Sequence, residues 1–200
     1  MTGRLTDMQL DALRELANIS SGTAATSLSQ MLGRDVDLNV PKAFALPLAD
    51  AVDAAGDPSQ EVTGIALAVE GDVSGAVLLL VPPEGAATLC TLLGVEAGTE
   101  VGDSALGEIG NILGAAYLMA LGSMTGVQMV PGTPQVITDM LGAIVATVLA
   151  GAVGHGDTAL VLDSMLDITG EPCAISFLLL PDADGVNDLL APLGLAEAAE

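Results

Sequence analysis

Basic residues are nearly absent from this sequence. Lys and Arg together number 4 in 200 residues, against 26 Asp and Glu, which gives a formal net charge of −22. A surface this negative repels phosphate backbones, which excludes nucleic-acid binding through basic patches. It also excludes a basic amphipathic helix as a membrane anchor. Because 51% of the residues are apolar, the chain is nevertheless not an acidic disordered segment.

Aromatic residues, cysteine and histidine are also scarce. Aromatics make up 2% of the chain, so the core must be built from Ala, Val, Leu, Ile and Met. Cys90 and Cys173 lie 83 residues apart in apolar surroundings, which predicts two buried reduced thiols and no zinc site. His155 lies between two glycines, and we expect a solvated turn residue there rather than a catalytic base. We expect no metal and no cofactor in this chain.

Long continuous apolar runs are missing as well. Residues 109–138 carry no charge, but Asn, Gln, Gly and Pro interrupt them. The run therefore lacks the roughly 20 continuous apolar residues of a membrane span, and we expect buried core helices and no membrane insertion. The N-terminus lacks the apolar segment of a signal peptide, so we expect a cytoplasmic protein.

The acidic excess indicates a salt-rich cytoplasm, as in halophilic organisms. Residues 43–200 contain no Lys or Arg, so this stretch repels itself in dilute buffer. Screening relieves that repulsion, since the Debye length falls to about 3 Å at 1 M salt. An ordinary acidic protein is the alternative, but the near-total loss of Lys favours halophilic adaptation.

The chain contains an internal repeat with an offset of 93 residues. Residues 11–18 (DALRELAN) recur as residues 104–111 (SALGEIGN). In each copy 22 residues separate the final Asn from a proline, Pro41 or Pro134. Both halves then follow one order: helix, extended segment, helix, strand, turn, strand, helix.

This repeat predicts a single α/β (α+β) domain over residues 6–194. We expect two homologous halves, about 6–98 and 99–194, related by a pseudo-twofold axis, with a mostly antiparallel sheet and two long motif-bearing helices. The first long helix should end at Gly33, and the second should run from about Gly102 to Gly122.

Each long helix presents three polar residues on one face. At about 100° per residue they lie within about 60° of one another, opposite an apolar stripe. The three are Asp11, Glu15 and Asn18 in the first copy and Ser104, Glu108 and Asn111 in the second. A solvated stripe is the alternative interpretation, but such a stripe does not need Asn, which is a poor helix former.

A Glu and an Asn one helical turn apart suit a specific chemistry. The carboxylate can hold a cation such as a partner's Lys, and the carboxamide can hold a water molecule because it both donates and accepts hydrogen bonds. Such a pair can position water on a phosphate held by another protein, by the same logic with which the glutamine of small GTPases orients water. A labile aspartyl phosphate requires no general base.

The spacing [Asp/Ser]-x3-Glu-x2-Asn-x22-Pro, present twice, resembles that of the CheC–CheX–FliY family of chemotaxis phosphatases, and two complete copies resemble its CheC-type members. The resemblance implies dephosphorylation of the response regulator CheY. It implies that Glu15 and Glu108 pair with the regulator's active-site Lys, and that Asn18 and Asn111 orient the attacking water. Structural roles are implied for the remaining motif residues, which are Asp11, Ser104, Pro41 and Pro134.

The resemblance also implies partners. The Mg²⁺ belongs to the regulator, and CheC-type proteins bind the receptor deamidase CheD. The extreme acidity departs from typical members and indicates a haloarchaeal version. Two hypotheses follow: both motifs hydrolyse CheY phosphate, or the chain is a non-catalytic adaptor for CheD or the regulator. We also expect unequal sites, because Arg14 lies beside the first motif, whereas no Lys or Arg lies in the second half.

Overall fold

The computed structural model describes residues 6–151, 158–168, 171–182 and 185–193. Helices and strands follow one another in the same order in the two parts of the chain. The helices are α1 (Asp7–Leu32), α2 (Leu48–Ala55), α3 (Pro83–Leu92), α4 (Glu100–Thr125), α5 (Leu141–Gly151) and α6 (Gly185–Leu190), followed by a 3₁₀ turn (Ala191–Leu193). The strands are β1 (Val36–Pro47), β2 (Glu61–Gly71), β3 (Gly75–Val81), β4 (Met129–Pro131), β5 (Gln135–Met140), β6 (Thr158–Ile168) and β7 (Glu171–Pro181).

The seven strands form one antiparallel sheet in the order β1-β6-β7-β3-β2-β4, and β5 pairs with β2 beside β4. The strands of the two halves are interlaced in this sheet. Strand β1 pairs with β6 of the other half, and β5 pairs with β2. The centre of the sheet is the β3–β7 pair, so exchanging the halves leaves the strand order unchanged.

Helices cover both faces of the sheet and create two apolar cores. The larger core lies under α1, α3, α4 and α6, and the smaller one lies under α2 and α5. Strand β3 contributes to both, because successive side chains of a strand point to opposite faces. Val77 and Leu79 belong to the larger core, and Leu78 and Leu80 to the smaller. This burial on both faces explains why β3 is a continuous apolar run.

The long helices α1 and α4 pack against each other on the same face of the sheet. Helix α4 runs parallel to β2, because Gly110 lies on Ile65 and Gly114 lies on Leu67. Near the end of α1, the Ser29 hydroxyl accepts a hydrogen bond from the Val36 amide at the start of β1. Val36 pairs with Ile168, the last residue of β6, so α1 ends beside the end of β6. Between β6 and β2 lie β7 and β3, and each neighbouring pair is antiparallel, so β6 and β2 run in opposite directions. The two helices are therefore antiparallel.

The predicted fold class is confirmed: helices pack on an antiparallel sheet, and two 26-residue helices carry the motifs. Helix α1 ends one residue before Gly33, whose φ of 62° suits glycine. The predicted ends of α4 were wrong by two or three residues. The Thr99 side chain accepts a hydrogen bond from the Gly102 amide and caps the helix earlier, and the left-handed Gly126 ends it later.

Helix α4 is long and apolar enough to cross a membrane by length and composition, and it is the one such helix in the part of the chain that the structure describes. In its most apolar stretch 61% is buried inside the protein. Its burial is that of a core helix that packs against α1 and against the sheet.

Candidate functional site

The first motif lies in the N-terminal half of α1, on the side that faces away from the sheet. Asp11, Glu15 and Asn18 are exposed, whereas Ala17 between them is buried. The Ser21 hydroxyl donates a hydrogen bond of 2.7 Å to the backbone carbonyl oxygen of Asn18 and so does not engage its carboxamide. The predicted polar face is therefore present on α1.

The second motif occupies the same turns of α4. Ser104 and Glu108 are exposed, and Asn111 is half-buried. The apolar residues predicted for the opposite face are buried in the larger core; they are Leu106, Ile109 and Leu113. The two motifs differ in depth, since Asn111 is half-buried whereas Asn18 is exposed.

Glycines bring α4 unusually close to the sheet beneath the second motif. A Cβ at Gly110 would lie 2.4 Å from Cγ2 of Ile65, which is closer than carbon atoms approach without a shift. A Cβ at Gly114 would lie 3.3 Å from Leu67. The equivalent positions of α1 are Ala17 and Ser21, so only the second motif is set on a glycine-packed helix.

The two motif prolines interrupt the edge strands at matching positions. Pro41 lies in β1 where the register with β6 shifts, between Asn39 and Lys42. Pro134 lies in the gap between β4 and β5. A proline has no N–H for a ladder hydrogen bond, which accounts for both irregularities. Pro134 also approaches α4, since its Cγ would lie 3.8 Å from a Cβ on Gly107, the residue before Glu108.

Arg14 makes the electrostatics of the two motifs unequal. Its guanidinium donates a 2.8 Å hydrogen bond to Asp11, whose side chain is largely exposed, whereas that of Arg14 is partly buried. Within the described residues neither Glu15 nor Glu108 forms an ion pair or accepts a side-chain hydrogen bond. Both carboxylates are thus available to a cation from another molecule, but only Glu15 has a neighbouring Arg on its own helix.

The two cysteines lie in the core. Cys90 and Cys173 are buried thiols that form no disulfide, as predicted. Burial raises the pKa of the Cys90 thiol, helped by the charge of Asp103, and burial raises the pKa of Cys173 to about 11. His155 lies outside the described residues. The described residues contain no group of three or more His, Cys, Asp or Glu that could hold a metal ion.

Sequence reasoning missed the apolar side chains that flank the motifs. Met8 is 69% exposed and Val101 is 63% exposed, and Ile19 and Met119 are exposed further along the two helices. A usable signal was present, because Met8 and Val101 are separated by the same 93 residues as the motifs. Both helices therefore present a carboxylate, a carboxamide and apolar side chains at the surface.

Comparison with known proteins places these motifs in context. The model of the CheC-like family matches residues 8–44 and 101–138, which include all eight predicted motif residues. The chain is 34% identical to the CheY-P phosphatase CheC of Bacillus subtilis (strain 168) over 196 residues, which span 93% of this chain and 94% of that protein.

Solved structures share the fold. FliY of Thermotoga maritima is 22% identical, with a TM-score of 0.75, and the match covers 95% of this chain and 98% of that one. FliM in the FliM–SpeE complex of H. pylori is 12% identical, with a TM-score of 0.70, and the match covers 96% and 97% of the two chains. At these identities the likeness concerns the fold alone.

Proposed function

The chain belongs to the CheC-like family, and on that premise we propose that it is a phosphatase that hydrolyses the aspartyl phosphate of the chemotaxis response regulator CheY. The observation that carries the proposal is a Glu and an Asn at matching turns of α1 and α4, where both carboxylates are exposed, Asn18 is exposed and Asn111 is half-buried. The relative named CheY-P phosphatase CheC aligns over nearly the whole chain, which supports the same reaction here. The reaction ends the signal that phosphorylated CheY carries in chemotaxis.

Each Glu–Asn pair acts on a phosphate that the regulator holds. In the proposed mechanism Glu15 or Glu108 accepts hydrogen bonds from the regulator's active-site Lys and so fixes the orientation of the docked protein. Asn18 or Asn111 then holds a water molecule in line with the phosphorus–oxygen bond to the aspartate. Water attacks phosphorus, the aspartate oxygen leaves, and inorganic phosphate is released.

No metal has to reside in this chain for this reaction. The Mg²⁺ that neutralises the phosphoryl oxygens belongs to the regulator in this proposal. The four other motif residues have supporting roles: Asp11 and Ser104 lie in the turn before each Glu, and Pro41 and Pro134 set the edge strands beside the helices.

Replacing both carboxamides tests the proposed site. Asn18→Ala combined with Asn111→Ala should abolish the stimulated loss of phosphate from CheY, because no group then holds the attacking water. Each single variant should keep part of the activity. The double variant should unfold at the same denaturant concentration as the wild type, since Asn18 is exposed and Asn111 half-buried. An unchanged lifetime of phosphorylated CheY in the double variant would contradict the proposal.

The alternative function is that of a non-catalytic adaptor for the regulator or for the receptor deamidase CheD. Two intact motifs argue against vestigial catalysis, but binding of CheD is compatible with either function. Measuring CheY dephosphorylation with and without this protein, and then with CheD added, separates the two: an adaptor leaves the phosphate lifetime unchanged. A change in phosphatase rate on adding CheD would identify it as a partner.

We further propose a salt-rich cytoplasm as the working environment. The net charge of −22, with no Lys or Arg after residue 42, supports it. Circular dichroism should show loss of the cooperative native state as salt is lowered, because screening of the acidic surface is lost. A fully cooperative native state at about 0.1 M salt, where the Debye length is about 10 Å, would contradict this proposal.

A further inference from the structure

Exposed apolar side chains border the Glu–Asn pair on both motif helices. Met8 and Val101 precede Glu15 and Glu108 by seven residues, which is two helical turns and the same side of the helix. They are 69% and 63% exposed. Met119 follows Glu108 by eleven residues, or three turns, and is 67% exposed.

These side chains differ from the scattered apolar residues that any protein surface shows. Single exposed apolar residues are ordinary and need no explanation. Here they align with the carboxylate on both helices, and one of them recurs at the 93-residue offset in an otherwise diverged repeat. Met124 and Val130 are exposed too, at 39% and 60%, but Met124 lies on the opposite side of α4 and Val130 lies on β4.

We infer that Val101 and Met119 form the apolar border of the surface on which the phosphorylated regulator docks at Glu108 and Asn111, an inference that rests on the proposed function. A specific interface buries about 800 Å² on each partner, far more than one Glu and one Asn supply. A regulator whose phosphate reaches Asn111 therefore covers the neighbouring turns of α4. Met8 and Ile19 border the first motif in the same way.

The apolar border acts on the binding of the regulator. Its burial supplies affinity that salt does not screen, whereas the attraction between Glu108 and a regulator Lys is weakened by salt. Val101 and Met119 thus contribute to binding of the regulator and do not touch the reacting atoms.

The test uses the full-length protein in an Asn18→Ala background, so that only the second motif turns over. Val101→Thr combined with Met119→Gln keeps the size of both side chains and removes their apolar character. The KM for phosphorylated regulator should rise about tenfold, equivalent to about 1.4 kcal/mol, with kcat unchanged. The matched controls Met124→Gln and Val130→Thr should change neither constant.

Binding measured without turnover separates this inference from the proposed function. The probe is the regulator carrying beryllofluoride in place of the phosphoryl group. Its Kd should rise about tenfold with the Val101 and Met119 substitutions, in step with KM. If wild-type protein binds this probe through Val101 and Met119 yet never accelerates dephosphorylation, the proposed function fails and the docking surface stands. Unchanged KM and Kd, or an equal rise in the controls, would overturn the docking surface.

Discussion

Helices α1 and α4 have the same length and carry the same motif at the same turns, yet they are fixed to the protein differently. Below the second motif, Gly110 lets α4 lie directly on Ile65, whereas Ala17 occupies the equivalent position of α1. Asn111 is half-buried and Asn18 is exposed. The first motif also has Arg14 beside it, paired with Asp11.

The difference shows that repetition of a motif does not repeat its environment. The second motif has the more buried carboxamide and no basic residue on its own helix, which favours a partner's Lys at Glu108. The first has an exposed carboxamide and a cation on its own helix. We therefore expect two sites of one chemistry but of unequal strength, with the second the stronger.

The largest expected effect concerns the packing of the two helices. Gly110→Ala should destabilise the protein by about 1–2 kcal/mol, because overpacking against Ile65 outweighs the better helix propensity of Ala. Gly22→Ala on α1 should instead stabilise it by about 0.5–1 kcal/mol, since a Cβ there meets nothing within 4 Å. Urea unfolding at constant salt measures the change in the free energy of unfolding for both variants. Shifts of the same sign would show that the two helices do not differ in packing.

The next effect is on the rate. Glu108→Ala should remove more than half of the stimulated CheY dephosphorylation, and Glu15→Ala less than half, because Glu108 is the carboxylate with no competing cation on its own helix. Glu108→Gln should retain the shape and lose the charge, so it distinguishes ion pairing from packing. Equal losses from the two alanine variants would show that the sites are equivalent after all.

The smallest effect should come from Arg14. Arg14→Ala should reduce the difference between the two sites by about two- to threefold, because an exposed ion pair contributes less than about 1 kcal/mol and is screened by salt. Rates are compared in Asn18→Ala and Asn111→Ala backgrounds, with Arg34→Ala as a control for the loss of one positive charge. If Arg14→Ala leaves the difference unchanged, the inequality has its origin in helix packing.

Much of the secondary structure could be predicted from local patterns. The continuous apolar run from Gly75 to Val81 coincides with β3, and the polar face of each motif helix follows from helical spacing. The C-terminal end of α4 was harder to predict, because two glycines, Gly122 and Gly126, are both candidates to end the helix. Gly122 is helical, and only Gly126 has the positive φ, 74°, that ends the helix.

The site was less predictable than the fold. The motif residues could be identified because they recur, and the structure places their backbone at equivalent turns of α1 and α4. The depth of Asn111, the contact of Pro134 with α4 and the exposure of Met119 depend on how the helix lies on the sheet. These features are set by long-range packing, which the spacing of residues along the sequence does not reveal.

The interlaced sheet has a consequence for how the chain folds. Strand β1 finds its partner β6 only after 111–132 further residues, whereas β2 and β3 are joined by a short turn. Contacts this distant in sequence form slowly, since a long loop must close before any bond is gained. We expect α1 to lack its final packing until β6 has been synthesised. The first site should therefore be completed last, although its residues are synthesised first.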